Sequence, residues 1–205
     1  MNKLNYFLEI FKKAEKRYGK SEKRLAGDFV YWKEDWKVLI ATIMSAQSRD
    51  ETTIPIAENL FSKYNSLEKL SMVSFEDIFE ILKKINYNKT KAKNVIGASK
   101  FIVREFNGKI PDKIEDLLKI PGVGRKTANL VLSEVHNKES ICVDTHVHRI
   151  SNVFGFVKTK NPNETEIELM KFVPKKYWAR INRIFVLWGK EVRGRDKEKF
   201  LEKLK

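Results

Sequence analysis

Almost every apolar pattern in this chain repeats at intervals of three and four residues, a period that confines the chain to packed helices. Phe75, Ile78, Phe79, Leu82 and Ile85 form one stripe; Ala92, Val95, Ile96, Ile102, Val103 and Phe106 form another. Ile114, Leu117 and Leu118 make a short one, and Ile181, Ile184, Phe185 and Trp188 a late one. Leu4, Phe7, Leu8, Phe11 and Ala14 pattern the N-terminus in the same way. On a helix such positions share one face, which is stable when buried against a neighbour. Few stretches alternate as strands do. Breakers at Asn65-Ser66, Asn107-Gly108, Pro111-Asp112, Asn161-Pro162-Asn163 and Pro174 separate the stripes. The expectation is an all-α protein of roughly ten helices, one per stripe between breakers. Its 205 residues suffice for one or two compact lobes without covalent staples.

Charge narrows the partner. Lys and Arg number 41 against 27 Asp and Glu, a formal net charge of +14. So large an excess on a small chain favours a polyanion, either nucleic acid or an anionic membrane surface, although codon bias and heat adaptation also enrich lysine. The longest apolar run, around Val38–Met44, is too short to span a bilayer. The N-terminal segment mixes charges through its apolar pattern and has no signal-peptide core. A single cysteine, Cys142, excludes an intrachain disulfide framework and any cysteine-built zinc or iron–sulfur site. These observations point to an intracellular protein of the cytoplasm or nucleoid, without a structural metal cluster.

The most informative stretch is Ile120-Pro121-Gly122-Val123-Gly124-Arg125-Lys126-Thr127-Ala128, followed downstream by Val143-Asp144-Thr145-His146-Val147-His148-Arg149. Pro121 stops the preceding helix, while Gly122 and Gly124 permit a tight reversal and keep side chains away from a ligand. The next helix is expected to start with free amides at Val123, Gly124 and Arg125, a positive end suited to a phosphate. Lys126 falls in its first turn, where the helix end and Arg125 both disfavour an ammonium; most helix lysines are simply solvated. Asp144 precedes a second helical pattern, where a carboxylate is a preferred N-cap and can equally face developing positive charge. His146 and His148 lie two apart and so share no helix face, which argues against a common metal. His148 is expected at the surface. Arg149 is expected on a phosphate, on the backbone near Asp144, or in solvent.

PGVG running directly into RKTA, with VDTH downstream, resembles the helix-hairpin-helix DNA glycosylases, and within them the endonuclease III branch. The resemblance runs from about Trp36 to Trp188. It implies two helical lobes with a DNA-binding cleft between them: residues 28–138 with the hairpin, and residues 1–27 plus 139–205. It implies a base-excision-repair glycosylase with AP lyase activity, acting on duplex DNA that carries damaged bases, chiefly oxidised pyrimidines, or abasic sites. Lys126 takes the nucleophile position and Asp144 the catalytic carboxylate position. Gly122, Val123, Gly124, Arg125, Thr127 and His146 take DNA-binding positions.

Ser45-Ala46-Gln47-Ser48-Arg49-Asp50 matches the family segment whose glutamine enters the space left by a flipped nucleotide, so Gln47 inherits that role. Ile85-Asn86-Tyr87-Asn88-Lys89-Thr90-Lys91-Ala92 matches the loop that delivers an apolar wedge. Tyr87 stands where leucine is usual, and Lys89, Lys91 and Lys93 give the loop a basic flank. The family hairpin can also hold Na+ or K+ on main-chain carbonyls, here those of Leu118, Ile120 and Val123. After Trp188-Gly189-Lys190 the branch carries four cysteines for an iron–sulfur cluster. This chain reads Glu191-Val192-Arg193-Gly194-Arg195 there, so no cluster is expected, its structural part falling to basic residues and a last helix. One subunit suffices per lesion, so a monomer is expected. Two other readings stay open: a uracil or mismatched-thymine glycosylase, and a non-catalytic DNA-binding module that only borrows the hairpin.

Overall fold

The computed structural model describes residues 2–205, which contain helices and turns and no strand. The chain divides into two compact units, Arg24–His136 and the pair of segments Met1–Lys23 and Asn137–Lys205. There are more helices than stripes, because pieces as short as α2 (Phe29–Trp32), α5 (Leu67–Ser71) and α8 (Ile114–Leu117) span too little chain to show a period.

The continuous unit is organised around α3 (Asp35–Ser45), in which Val38 through Met44 are all buried. A helix apolar on every side needs neighbours on every side. Here they are α4 (Asp50–Lys63), α7 (Asn88–Phe106) and α9 (Arg125–Glu134), while α5 and α6 (Phe75–Leu82) pack against α7. In α7 the buried face is Lys91, Ala92, Val95, Ala98, Ser99 and Ile102, so Ile96 and Val103 sit on its half-exposed shoulder. Of the short stripe, Leu117 is buried but Leu118 is 44% exposed.

The discontinuous unit packs α1 (Lys3–Tyr18), α10 (Thr145–Val153), α11 (Pro162–Met170), α12 (Trp178–Glu191) and α13 (Lys197–Glu202). Phe7, Phe11, Phe156, Phe185, Trp188 and Phe200 are fully buried, with Phe7–Phe156, Phe185–Trp188 and Trp188–Phe200 packed edge to face. Asp196 caps α13 by accepting from the Lys199 amide, and Trp188 Nε1 donates to the Phe200 carbonyl at 3.1 Å. The last helix is thereby fastened to α12 by an aromatic cluster and a hydrogen bond. No described helix is long and apolar enough to cross a membrane.

Candidate active site

The hairpin is built from backbone. Leu117 and Ile120 are buried at its base, and the Ile120 amide donates to the Leu117 carbonyl at 3.1 Å. Gly122 has φ +80°, and a Cβ there would lie 2.7 Å from Asn94 Cβ, so both conformation and space demand glycine. Gly124 is different. Its backbone is extended (φ −97°, ψ 178°), it caps α9 without a side chain, and a Cβ there would meet nothing within 4 Å. The fold does not require glycine at 124; an approach from outside would.

The amide of Val123, expected to be free, donates to the Ile120 carbonyl at 3.0 Å and is spent on closing the turn. The Thr127 side chain is buried, as are those of Ala128 through Ser133. Lys126, the second residue of α9, is half-buried, and Arg125 beside it is exposed.

Asp144 caps α10, with Oδ1 accepting from the amides of His146 and Val147, each at 2.9 Å. One oxygen therefore fixes the carboxylate, and Oδ2 has no partner among the described residues. His146 packs on Gly189, where a Cβ would collide with its imidazole. Burial pushes the His146 pKa down, the Asp144 charge raises it, and Arg149 lowers it again. His148 is half-buried and held by side chains: its Nδ1 meets Thr165 Oγ1 at 2.7 Å in a network with Asn152. Arg149 goes neither to solvent nor to the backbone near Asp144. It donates to the carbonyls of Gly189 (2.6 Å) and Val192 (3.0 Å), closing the C-terminal end of α12. Arginine there meets the negative helix end, which pattern alone could not foretell.

Two turns of the continuous unit carry the residues expected to enter DNA. Ala46 (φ −52°, ψ 121°) and Gln47 (φ +54°) make a turn closed by the Ser48 amide on the Ser45 carbonyl at 2.9 Å. Gln47 thus holds the position that glycine normally takes in a type II turn. Tyr87 is left-handed too (φ +56°) and 66% exposed at the head of α7. Asn86 Nδ2 donates to the Gln47 carbonyl at 3.0 Å. Lys89 and Lys93 are exposed as expected of a basic flank, but Lys91 is buried and points inward. Its place on the face shared with Val95, Ala98 and Ile102 was the available signal, hidden by the habit of assigning lysine to solvent.

A base excision DNA repair family, the HhH-GPD superfamily, matches residues 40–175. The chain belongs to that superfamily. The match takes in the Gln47 and Tyr87 turns, the hairpin, Lys126 and Asp144. Endonuclease III of Thermotoga maritima is 38% identical over 184 residues, covering 90% of this chain and 83% of the relative. Endonuclease III of Bacillus subtilis is 35% identical over 156 residues, covering 76% and 71%. Among solved structures, a trapped endonuclease III–DNA covalent intermediate superposes with a TM-score of 0.85 at 28% identity, covering 95% of this chain and 91% of that one. A thermostable thymine-DNA glycosylase, 16% identical with a TM-score of 0.77, shares the fold.

The iron–sulfur cluster of the endonuclease III pattern does not fit the residues here. Cys142 is the single cysteine and is buried. Among the described residues no three His, Cys, Asp or Glu side chains gather where they could hold a metal ion.

Proposed function

We propose that this HhH-GPD chain is a DNA glycosylase with AP lyase activity that removes damaged pyrimidines from duplex DNA, with Lys126 as nucleophile. The supporting observation is the setting of Lys126: it stands two residues after a glycine hairpin, in the first turn of a helix whose N-cap offers no side chain. Backbone donors at such a helix end hold a phosphate without reading bases, which suits an enzyme that must act on any sequence.

In this reading the Lys126 amine attacks C1′ of the lesion nucleotide. The new C–N bond forms as the glycosidic bond breaks, and the base leaves with its electron pair and takes up a proton. Asp144 stabilises positive charge on the sugar and accepts the proton that the amine gives up. The sugar ring opens to a Schiff base; loss of a C2′ proton then expels the 3′ phosphate and cuts the strand. Gln47 and Tyr87 fill the space left by the extruded nucleotide. The amide of Gln47 can both donate to and accept from a base edge, and Tyr87 offers a ring for stacking.

The hairpin carbonyls of Leu118, Ile120 and Val123 are hard oxygen donors of the kind that Na+ or K+ takes. Ile120 already accepts one hydrogen bond from Val123 and keeps a second lone pair for the ion. A single subunit supplies all the named groups, so the enzyme acts as a monomer.

Borohydride trapping on abasic duplex DNA is the deciding experiment. The native chain is expected to form a covalent adduct, and Lys126→Gln to form none while still binding DNA. An adduct of undiminished yield in Lys126→Gln, or none in the native chain, overturns the lysine mechanism. Duplexes carrying thymine glycol, 5,6-dihydrouracil, uracil or 8-oxoguanine then test the substrate class. Oxidised pyrimidines are expected to be excised fastest, and preference for uracil or mismatched thymine would reassign the substrate.

A further inference from the structure

Lys91 is the unexplained residue of the continuous unit. It is only 4% exposed, yet no carboxylate pairs with it among the described residues. Burial alone pulls its amine down to about 8. A buried ammonium without a counter-charge is destabilising, so its retention calls for a use.

Its contacts supply one. The Lys91 amide donates to the Tyr87 carbonyl at 3.0 Å, as expected one turn into α7. Its side chain reaches the other turn and donates from Nζ to Ser48 Oγ at 2.8 Å. Asn86, on the far side of Tyr87, donates to the Gln47 carbonyl. The residues flanking Gln47 and Tyr87 are thus tied together at two points, and Lys91 touches both turns. Both turns hold non-glycine residues in left-handed conformations, which persist only where surrounding contacts over-determine them.

We propose that Lys91 is a positioning residue for base extrusion: it binds Ser48 so that the Gln47 and Tyr87 turns stay in register and both side chains enter the DNA stack together. This rests on the glycosylase reading above. Lys91 itself is buried and bonded to the two turns, so it acts through Gln47 and Tyr87. Filling the stack matters for duplex DNA, where a nucleotide must be held out of a paired helix, and not for a flexible single strand.

Single-turnover excision from a lesion duplex is therefore compared with borohydride trapping on single-stranded abasic DNA, using Lys91→Met. Methionine keeps the apolar stem and removes the buried charge, so folding is preserved. The duplex rate is expected to fall about 10–100-fold, while single-strand trapping changes less than about twofold. In a Gln47→Ala, Tyr87→Ala background the same substitution is expected to have no further effect on the duplex rate. Ser48→Ala, which removes the other partner, is expected to reproduce the Lys91→Met phenotype. Equal losses on both substrates, an unchanged duplex rate, or a full additional loss in the doubly substituted background each overturn the proposal. If the native chain fails to trap abasic DNA at all, the enzymatic reading fails first, and the two failures are told apart.

Discussion

The hairpin at 121–124 and the paired turns at Gln47 and Tyr87 solve one backbone problem in opposite ways. All three include a residue with positive φ. In the hairpin that residue is Gly122, for which the conformation is free of strain and which carries no side chain. At Gln47 and Tyr87 the same conformation is imposed on full side chains, each at about 1–3 kcal/mol. Glycine would stabilise both turns, and in the proposed reading it is absent because the side chains are the parts that enter DNA. The hairpin presents backbone; the paired turns present chemistry.

The largest stability effect is expected from forcing a side chain onto the hairpin. Gly122→Ala adds left-handed strain and drives a Cβ into Asn94, so a loss of about 2–3 kcal/mol is expected by denaturant unfolding. A neutral result would mean that the hairpin relaxes easily and that its glycine is not required by conformation.

Lys91, which ties the paired turns, gives a pH signature. Its folded pKa, about 8, lies below the unfolded value of 10.5. Between those values the unfolded chain binds more protons, so Lys91 makes stability rise with pH across that window and destabilises the fold below it. Tyr18 works the other way at higher pH: burial first, then its bond to Glu191, raises its pKa, and the phenol contributes stability that is lost on ionisation. Subtracting the stability curve of Lys91→Met from that of the native chain isolates the lysine. The difference is expected to change by about 3 kcal/mol between pH 7 and 10.5. A flat difference would show that the amine is well solvated.

Gln47→Gly tests the other side of the comparison. Relief of left-handed strain is expected to stabilise the chain by about 1 kcal/mol. Excision from lesion duplexes is expected to fall at the same time, because only Tyr87 remains to enter the stack. A variant more stable and equally active would remove the functional meaning of the strain.

Helicity, the hairpin and Asp144 as a cap were all readable from periodicity, breakers and short-range residue preference, since each is decided within a few residues. What escaped was decided by tertiary contact. Leu118 has the spacing of a core residue, yet it ends a four-residue helix at the surface. Lys91 and Arg149 look like solvent or phosphate cations, but one bonds Ser48 from the interior and the other closes the end of α12. Val123 shows the limit at finest grain: the motif located the hairpin turn, but not which of its amides the turn itself consumes.

Gly124→Ala is the smallest perturbation and the sharpest. The φ of −97° suits alanine, and the new Cβ meets nothing within 4 Å. Alanine is the poorer N-cap, but it also lowers the entropy of the unfolded chain, and the two effects offset to within about 0.5 kcal/mol. Folding should therefore hardly notice. Binding should, because the methyl stands where a phosphate would meet the helix end; about a tenfold loss of affinity for duplex DNA is expected, or 1.4 kcal/mol. Removing an uncharged approach leaves counterion release intact, so the dependence of log K on log salt should keep its slope. Replacing Arg125 by glutamine should reduce that slope by about 0.9 if its charge meets a phosphate. If Gly124→Ala binds as the native chain does, the hairpin grips by charge, and the division between a backbone-presenting and a side-chain-presenting turn fails at the residue where it is most exposed.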